Sequence, residues 1–296
     1  MQELLVISGK GGTGKTSLAA AFAVLARDKV LVDCDVDAAD LHLLLRPQIQ
    51  SSNEFWGMPK AFINAEDCNK CGLCQEACRF GAIEDYHVNP HLCEGCGVCS
   101  RLCPAGAVVM RDHLAGYWYV AHTPYGPMVH AQLGIAEDNS GKLVTVVRQA
   151  GRELAREKGL NLIIIDGPPG IGCPVIAALS GVSLALVVTE PTVAGHHDLE
   201  RIMQLAGHFR VPVEVCINKF DLAPAKSREI EEYCRAQGVE VISKIPFDEE
   251  VARAVSRGVP LVQPRGGSRG GAARAVRSLW EKLAERLDVL ARRPGH

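Results

Sequence analysis

The sequence predicts a doubly wound, mostly parallel α/β sheet interrupted by one small α+β module, and three observations predict it. The chain opens on an apolar run, Leu4 to Ile7, then a glycine-rich turn, then an alanine-rich stretch from Ser17 to Ala26: strand, loop and helix. Further apolar runs of strand length follow, separated by helical periodicity, which is the alternation that folds as a parallel sheet with helices on both faces. Between Cys68 and Cys103 the alternation stops, and eight of the chain's 12 cysteines appear there.

The 296 residues, 47% of them hydrophobic, suffice for one large domain or two smaller ones. A net charge of -2 gives no general attraction to nucleic acid. No apolar run approaches the roughly 18 residues of a membrane span, and the N-terminus enters a strand with no basic region ahead of it. The expectation is a cytoplasmic protein that binds neither membrane nor nucleic acid. In that compartment clustered cysteines hold metal or do redox chemistry more often than they form disulfides.

The opening turn is Gly9-Lys10-Gly11-Gly12-Thr13-Gly14-Lys15-Thr16. It fits G-x-x-x-x-G-K-[ST], in which backbone N–H groups cradle phosphates, a lysine reaches the terminal phosphate and a hydroxyl binds Mg²⁺. Gly11, Gly12, Thr13, Gly14, Lys15, Thr16 and Ser17 are therefore the candidate phosphate contacts. Gly9, Gly11 and Gly14 also satisfy G-x-G-x-x-G, with Asp33 at the distance a dinucleotide fold requires. The Lys15-Thr16 pair favours a triphosphate, since it has no task against a pyrophosphate. Lys10 makes the motif more specific: KGGTGKT resembles the deviant phosphate loop of the superfamily that contains MinD, ParA, Mrp and the nitrogenase iron protein. The resemblance implies a P-loop ATPase fold, ATP as ligand, and a Lys10 that reaches the partner's nucleotide in an ATP-dependent homodimer.

The next strand, Lys29 to Asp35, ends in carboxylates beside that loop. By resemblance, Asp35 positions the attacking water and Asp33 supports the water shell of Mg²⁺, while Asp37 and Asp40 continue a segment able to switch. From Arg46 to Ala65 periodicity is lost and a plain connection is expected. Then come Cys68-x2-Cys71-x2-Cys74-x3-Cys78 and Cys93-x2-Cys96-x2-Cys99-x3-Cys103-Pro104. Two such runs form the bacterial two-cluster ferredoxin pattern, in which the fourth cysteine of each run ligates the other cluster. Cys68, Cys71, Cys74 and Cys103 are thus assigned to one 4Fe-4S cluster, and Cys93, Cys96, Cys99 and Cys78 to the second. Zinc, the other ion that takes such pairs, leaves half of each run without a task.

Val108 to Val147 carries strand and turn signals, including Gly116 to Val120, Met128 to Leu133, a turn at Asn139 to Lys142, and Leu143 to Val147; hairpins are expected. Leu160 to Asp166 reads as a buried strand whose terminal aspartate holds Mg²⁺, and the following Gly-Pro-Pro-Gly resembles the γ-phosphate-sensing loop of Mrp-like proteins. Cys173 lies at the spacing of a cysteine that holds the shared cluster of the nitrogenase iron protein, so it is a candidate interface cluster contact. No second cysteine occurs between Ala105 and Ile165, a departure from that family.

Ser183 to Thr189 and Val211 to Ile217 are further buried strands, with a helix from Ala194 to Gly207 between them. His196 and His197 are adjacent on that helix, point about 100° apart and do not chelate one ion. Asn218, in Asn-Lys-Phe-Asp, has the donor and acceptor to read a purine edge; by resemblance it reads adenine together with Pro246 and Asp248. The tail sets Arg265, Arg269, Arg274 and Arg277 among glycines before an amphipathic helix through Trp280, Leu283 and Leu287.

The expected organisation is a discontinuous P-loop domain, residues 1–60 and 110–296, with a ferredoxin module at 61–109. The expected function is ATP hydrolysis whose dimer cycle gates electron transfer from two 4Fe-4S clusters to a redox partner protein. An iron-sulfur carrier or assembly ATPase of the Mrp type is the alternative.

Overall fold

The computed structural model describes residues 1–134, 137, 140–263 and 270–292. Asn139, Arg265 and Arg269, singled out in the turn and the tail, lie outside the described residues. The chain forms two compact units, one of residues 1–52, 118–132 and 141–296, the other of 53–117 and 133–140. The expected insert at 61–109 lies inside the second unit, which also takes in 53–60, 110–117 and 133–140.

In chain order the first unit begins with β1 (Gln2–Ser8), α1 (Lys15–Leu25), β2 (Lys29–Asp33) and α2 (Leu41–Leu45), and then β3 (Gln48–Trp56) carries the chain out of it. The second unit holds β4 (Lys60–Ile63), α3 (Leu73–Glu76), β5 (Ile83–Glu84), β6 (His87–Val88), α4 (Val98–Leu102) and β7 (Val108–Arg111). The chain returns through β8 (Leu114–Thr123) and β9 (Gly126–Leu133), and continues with α5 (Ser140–Glu157), β10 (Leu162–Pro169), α6 (Cys173–Leu179), β11 (Leu184–Thr189) and α7 (Val193–His208). It ends with β12 (Val213–Asn218), α8 (Pro224–Ala236), β13 (Val241–Ile245), α9 (Glu249–Ser256) and α10 (Gly271–Arg292).

The main sheet runs β13-β12-β11-β1-β10-β2-β9-β8-β3. β1 lies between β10 and β11, parallel to both, and β2 is parallel to β10 and β9. Strand order therefore reverses beside β1, so the carboxyl ends of β1, β2, β10 and β11 open on one crevice, the place where parallel sheets bind ligands. Burial explains why these strands read as unbroken apolar runs: Leu4 to Ile7, Ile163 to Ile165 and Leu184 to Val188 are all buried, covered by helices on both faces.

Two expectations are corrected. Residues 143–147 are not a strand but part of α5. The β-branched run Val144-Thr-Val-Val is strand-like in a five-residue window, but Leu143, Val147, Ala150 and Leu154 are buried at spacings of three and four, and that longer period prevails. The supposed connection from Arg46 to Ala65 contains β3 and β4. β3 is exposed along nearly all its length, so it carries no alternation for a sequence reading to detect; it is an edge strand held by its ladder.

α1 packs closely because Ala19, Ala20, Ala21 and Ala23 present almost no side chain, and its one aromatic residue, Phe22, is fully buried against Trp280 of α10 at a ring distance of 5.3 Å. α10 returns Leu279, Leu283 and Leu287, one turn apart, to the same core. Substitution Leu283→Ala removes a fully buried side chain and is expected to lower the unfolding free energy by about 2–5 kcal/mol, read as a lower denaturant midpoint at unchanged helix content.

Candidate functional site

The loop between β1 and α1 lines a cavity of about 460 Å³, together with Asp35, Asp40, Leu43, Leu44 and Val255. Gly14 takes φ +92° and serves as the N-cap of α1 with no side-chain cap, so the first-turn N–H groups face the cavity without a side-chain acceptor. An uncapped helix start with its positive dipole end is a phosphate site. The glycines do two separate jobs here. A Cβ on Gly9 would stand 2.1 Å from Asp198 Cβ on α7, and one on Gly14 would stand 2.5 Å from Asn218 Nδ2.

Lys15 is 5% exposed and its ammonium lies 3.2 Å from Asp35 Oδ2 and 3.0 Å from Asp166 Oδ1. Burial alone depresses a lysine, but Asp166 and Asp35 outweigh it and hold the Lys15 ammonium well above its ordinary value. Asp33 and Asp166 are directly opposite in the β2–β10 register. Burial, reinforced by Asp166, pushes the Asp33 carboxyl well up, and burial likewise raises Asp166 and Asp35 against the pull of Lys15.

Three buried carboxylates facing one ammonium leave negative charge in excess, which a divalent cation relieves. Asp166 Oδ2 is buried without a partner, and Thr16 Oγ1 lies 3.4 Å from the Lys15 ammonium that pairs with the same carboxylate. Asp166 and Thr16 fit Mg²⁺. Asp33 accepts from the N–H groups of Asp35 and Leu41, so it fixes the course of the segment leading to α2.

The structure brings Lys10, Lys15, Asp33, Asp35 and Asp166 to the loop, but it does not bring the expected base readers into the cavity. Asn218 Nδ2 donates to Thr13 O at 2.8 Å, and its Oδ1 accepts from Lys219 N at 3.0 Å, so the amide braces the loop. Asp248 caps α9 through Glu250 N and also accepts from Ala272 N; Pro246 packs near Gly271. Lys10 pairs with Glu190 at 3.3 Å. Glu190 went unnoticed in the sequence, where its one signal was its place directly after β11.

In the second unit the two cysteine runs adopt the same local course. Gly72 and Gly97, at φ +80° and +71°, start α3 and α4, and Gly81 and Gly106, at +63° and +64°, follow the fourth cysteines. Cys74 and Cys99, the third of each run, are buried, while Cys71 and Cys96 are exposed. Burial raises the Cys74 and Cys99 thiols, and the proximity of Cys68 and Cys103 to the first and of Cys93 and Cys96 to the second adds to the rise. That neighbourhood joins Cys103 to the first run, as a crossed ligand set does. Burial opposes it, yet N–H groups of Ala107 and Val108 hold the Cys103 thiol below its ordinary value, and Ala61 N donates to Cys93 Sγ at 3.4 Å. Backbone donors aimed at thiolates suit iron-sulfur ligation. Among the described residues no three side chains converge as ligands of a single ion do.

Cys173 is the exposed first residue of α6, against the open face of Gly141, where a Cβ would meet its Cβ at 3.3 Å. Cys34, Cys216 and Cys234 are buried core thiols. No helix among the described residues is long and apolar enough to cross a membrane.

An acid whose value is raised on folding stabilises the fold below its unfolded value and costs stability as pH rises through the folded one. Wild-type stability without nucleotide is therefore expected to fall as pH rises from about 4 through the elevated Asp33 value. Asp33→Asn removes the titrating group while keeping one acceptor oxygen, at the cost of one of the two N–H contacts, so its melting temperature should be lower throughout but fall less over that window; equal slopes would refute the assignment.

The family model for the CobQ/CobB/MinD/ParA nucleotide-binding domain matches residues 4–261. An uncharacterised protein of Methanocaldococcus jannaschii is 32% identical over 288 residues, covering 96% of this chain and 97% of that one. A Pyrococcus horikoshii protein named an iron-sulfur cluster carrier is 28% identical over 145 residues, 44% of this chain and 48% of its own. The solved structure of the septum site-determining protein MinD with Mg-ADP from Pyrococcus horikoshii superposes with a TM-score of 0.60 at 17% identity, covering 99% of both chains. With the uncapped phosphate loop at the strand-order reversal and the carboxylates around Lys15, these matches place the chain in the CobQ/CobB/MinD/ParA family of P-loop nucleotide-binding ATPase domains.

Proposed function

We propose that the protein is an ATPase whose nucleotide-dependent homodimer gates electron delivery from two 4Fe-4S clusters to a partner protein. The observation that carries this reading is the pairing, in one chain, of a loop whose lysine is held by two carboxylates with a doubled cysteine motif in which Cys93 Sγ accepts a backbone N–H. Asp35, 3.2 Å from the Lys15 ammonium, must exchange that contact when phosphate takes the lysine, which frees it to orient a water toward the γ-phosphate. Thr16 and Asp166 hold Mg²⁺, which supplies positive charge against the phosphate oxygens. Lys15 stabilises charge on the transferring phosphoryl group, and ATP and water leave as ADP and phosphate. Lys10 reaches the partner's nucleotide, closing the dimer, and hydrolysis reopens it. Asn218 and the Pro246–Asp248 turn take the adenine after rearrangement of the Asn218 brace.

Cys68, Cys71, Cys74 and Cys103 hold one cluster; Cys93, Cys96, Cys99 and Cys78 hold the other. When bound, the clusters supply one-electron centres. The module spans residues 61–109 and the ATPase domain 1–60 and 110–296. The buried third cysteines and the N–H donors to sulfur favour resident clusters over transferred ones. A carrier function is the second reading, favoured by the similarity to proteins named iron-sulfur cluster carriers.

Anaerobic spectroscopy of the dithionite-reduced protein, with and without ATP and then mixed with an apo-ferredoxin, separates the two. Gated donation predicts an ATP-dependent change in the reduced signal or in electron delivery while iron stays bound. Movement of iron and sulfide to the acceptor would establish the carrier. Cys173 is proposed as a labile contact for iron at the dimer face. Cys173→Ser should then lose only the iron in excess of about eight atoms per protomer, and unchanged iron content would sink that role.

A further inference from the structure

Glu190 sits where β11 hands over to α7, beside the phosphate loop but outside the cavity. Its carboxylate bridges two lysines, Lys10 through Oε2 at 3.3 Å and Lys219 through Oε1 at 2.5 Å. Lys219 Nζ also reaches Gly12 O at 3.4 Å, and Lys219 N is held by Asn218 Oδ1. The Glu190 backbone is fixed as well: its carbonyl accepts from Thr192 N at 2.8 Å, in the turn whose Thr192 hydroxyl caps α7 through Gly195 N. The Glu190 side chain is 13% exposed and that of Lys10 35%, so the acid is a set anchor and the lysine is the movable member.

We infer that Glu190 is a positioning residue that holds Lys10 on its own protomer, and that release of this contact sets how readily the nucleotide-bound dimer forms. The inference rests on the proposed trans role of Lys10. An ammonium has three donors and can serve two anions, so the 3.3 Å contact with Glu190 competes with, rather than excludes, a contact to a phosphate across an interface. Breaking an ion pair is normally opposed by the orphaned partner charge. Here Lys219 remains on Glu190 when Lys10 leaves, so the carboxylate keeps a cation and the latch opens at small cost. Lys219 is therefore the counterweight: the more firmly it occupies Glu190, the weaker the hold on Lys10.

Substitutions at Glu190 and Lys219 make opposite predictions for dimerisation, measured by sedimentation of the full-length protein with a saturating non-hydrolysable ATP analogue and Mg²⁺. Glu190→Gln removes the competing charge and should tighten the dimer about two- to fivefold, the size of a partly exposed ion pair. Lys219→Gln leaves Glu190 to Lys10 alone and should loosen the dimer. The gain from Glu190→Gln should vanish in the Lys10→Ala background, and analogue binding by the monomeric fraction reports whether either variant has damaged the loop. A wild type that dimerises while Glu190→Gln leaves the dimer constant unchanged or weaker overturns the latch alone, as does a shift of both variants in one direction. A wild type that stays monomeric with the analogue overturns the dimer reading and the latch together.

Discussion

The contact of Lys15 with Asp35 and Asp166 is the constraint on which the rest of the nucleotide site depends. Its three members come from different parts of the chain: the loop after β1, the end of β2 and the end of β10. They meet because those strands are parallel neighbours and end on the same edge of the sheet. A buried ion pair is poor evidence for stability, since the desolvation of each partner offsets their attraction. Its value here is positional. It keeps a lysine charged where burial would discharge it, and it draws two carboxylates together at the mouth of the phosphate loop. Without ligand the lysine is paired while Asp166 Oδ2 is left without a partner, so the arrangement fixes the cation and keeps one acceptor open.

The second unit solves a different problem. Its core consists of Ala61, Ile63, Ile83 and Val108 with buried Cys74 and Cys99, and Cys68, Cys78, Cys93 and Cys103 pack against them. A module this small cannot bury enough hydrocarbon to offset the entropy of ordering its chain. Sulfur side chains occupy much of the interior, so the groups that would ligate iron are also the groups that fill space. Binding energy at metal centres is folding energy, so a ligating role for these cysteines would be inseparable from their packing role.

Much of this was legible in the sequence, for reasons specific to each element. Buried parallel strands such as Leu160 to Asp166 announce themselves because both faces are covered, and the phosphate loop and cysteine runs because fixed spacing leaves few chemical alternatives. β3 was not legible: its residues are exposed and polar, and its existence depends on a neighbouring strand. Residues 143–147 were misread because a local β-branched run masked a helical period that takes four turns to appear. Asn218 and Asp248 had side chains suited to a base, but a side chain able to donate and accept can equally brace a loop or cap a helix, and in this structure they do so. Glu190 was silent because its partners, Lys10 and Lys219, come to it only through the fold.

Gly9 opens the phosphate-loop pattern, yet its missing side chain makes room for Asp198 on α7 rather than for a ligand. Gly14 makes room for both the turn and Asn218. A motif that serves as a signature of nucleotide binding is thus partly a record of helix packing. A chain on this fold that lost its ligand would retain the first glycine for as long as α7 stayed in place, and that glycine alone would testify to architecture rather than to chemistry.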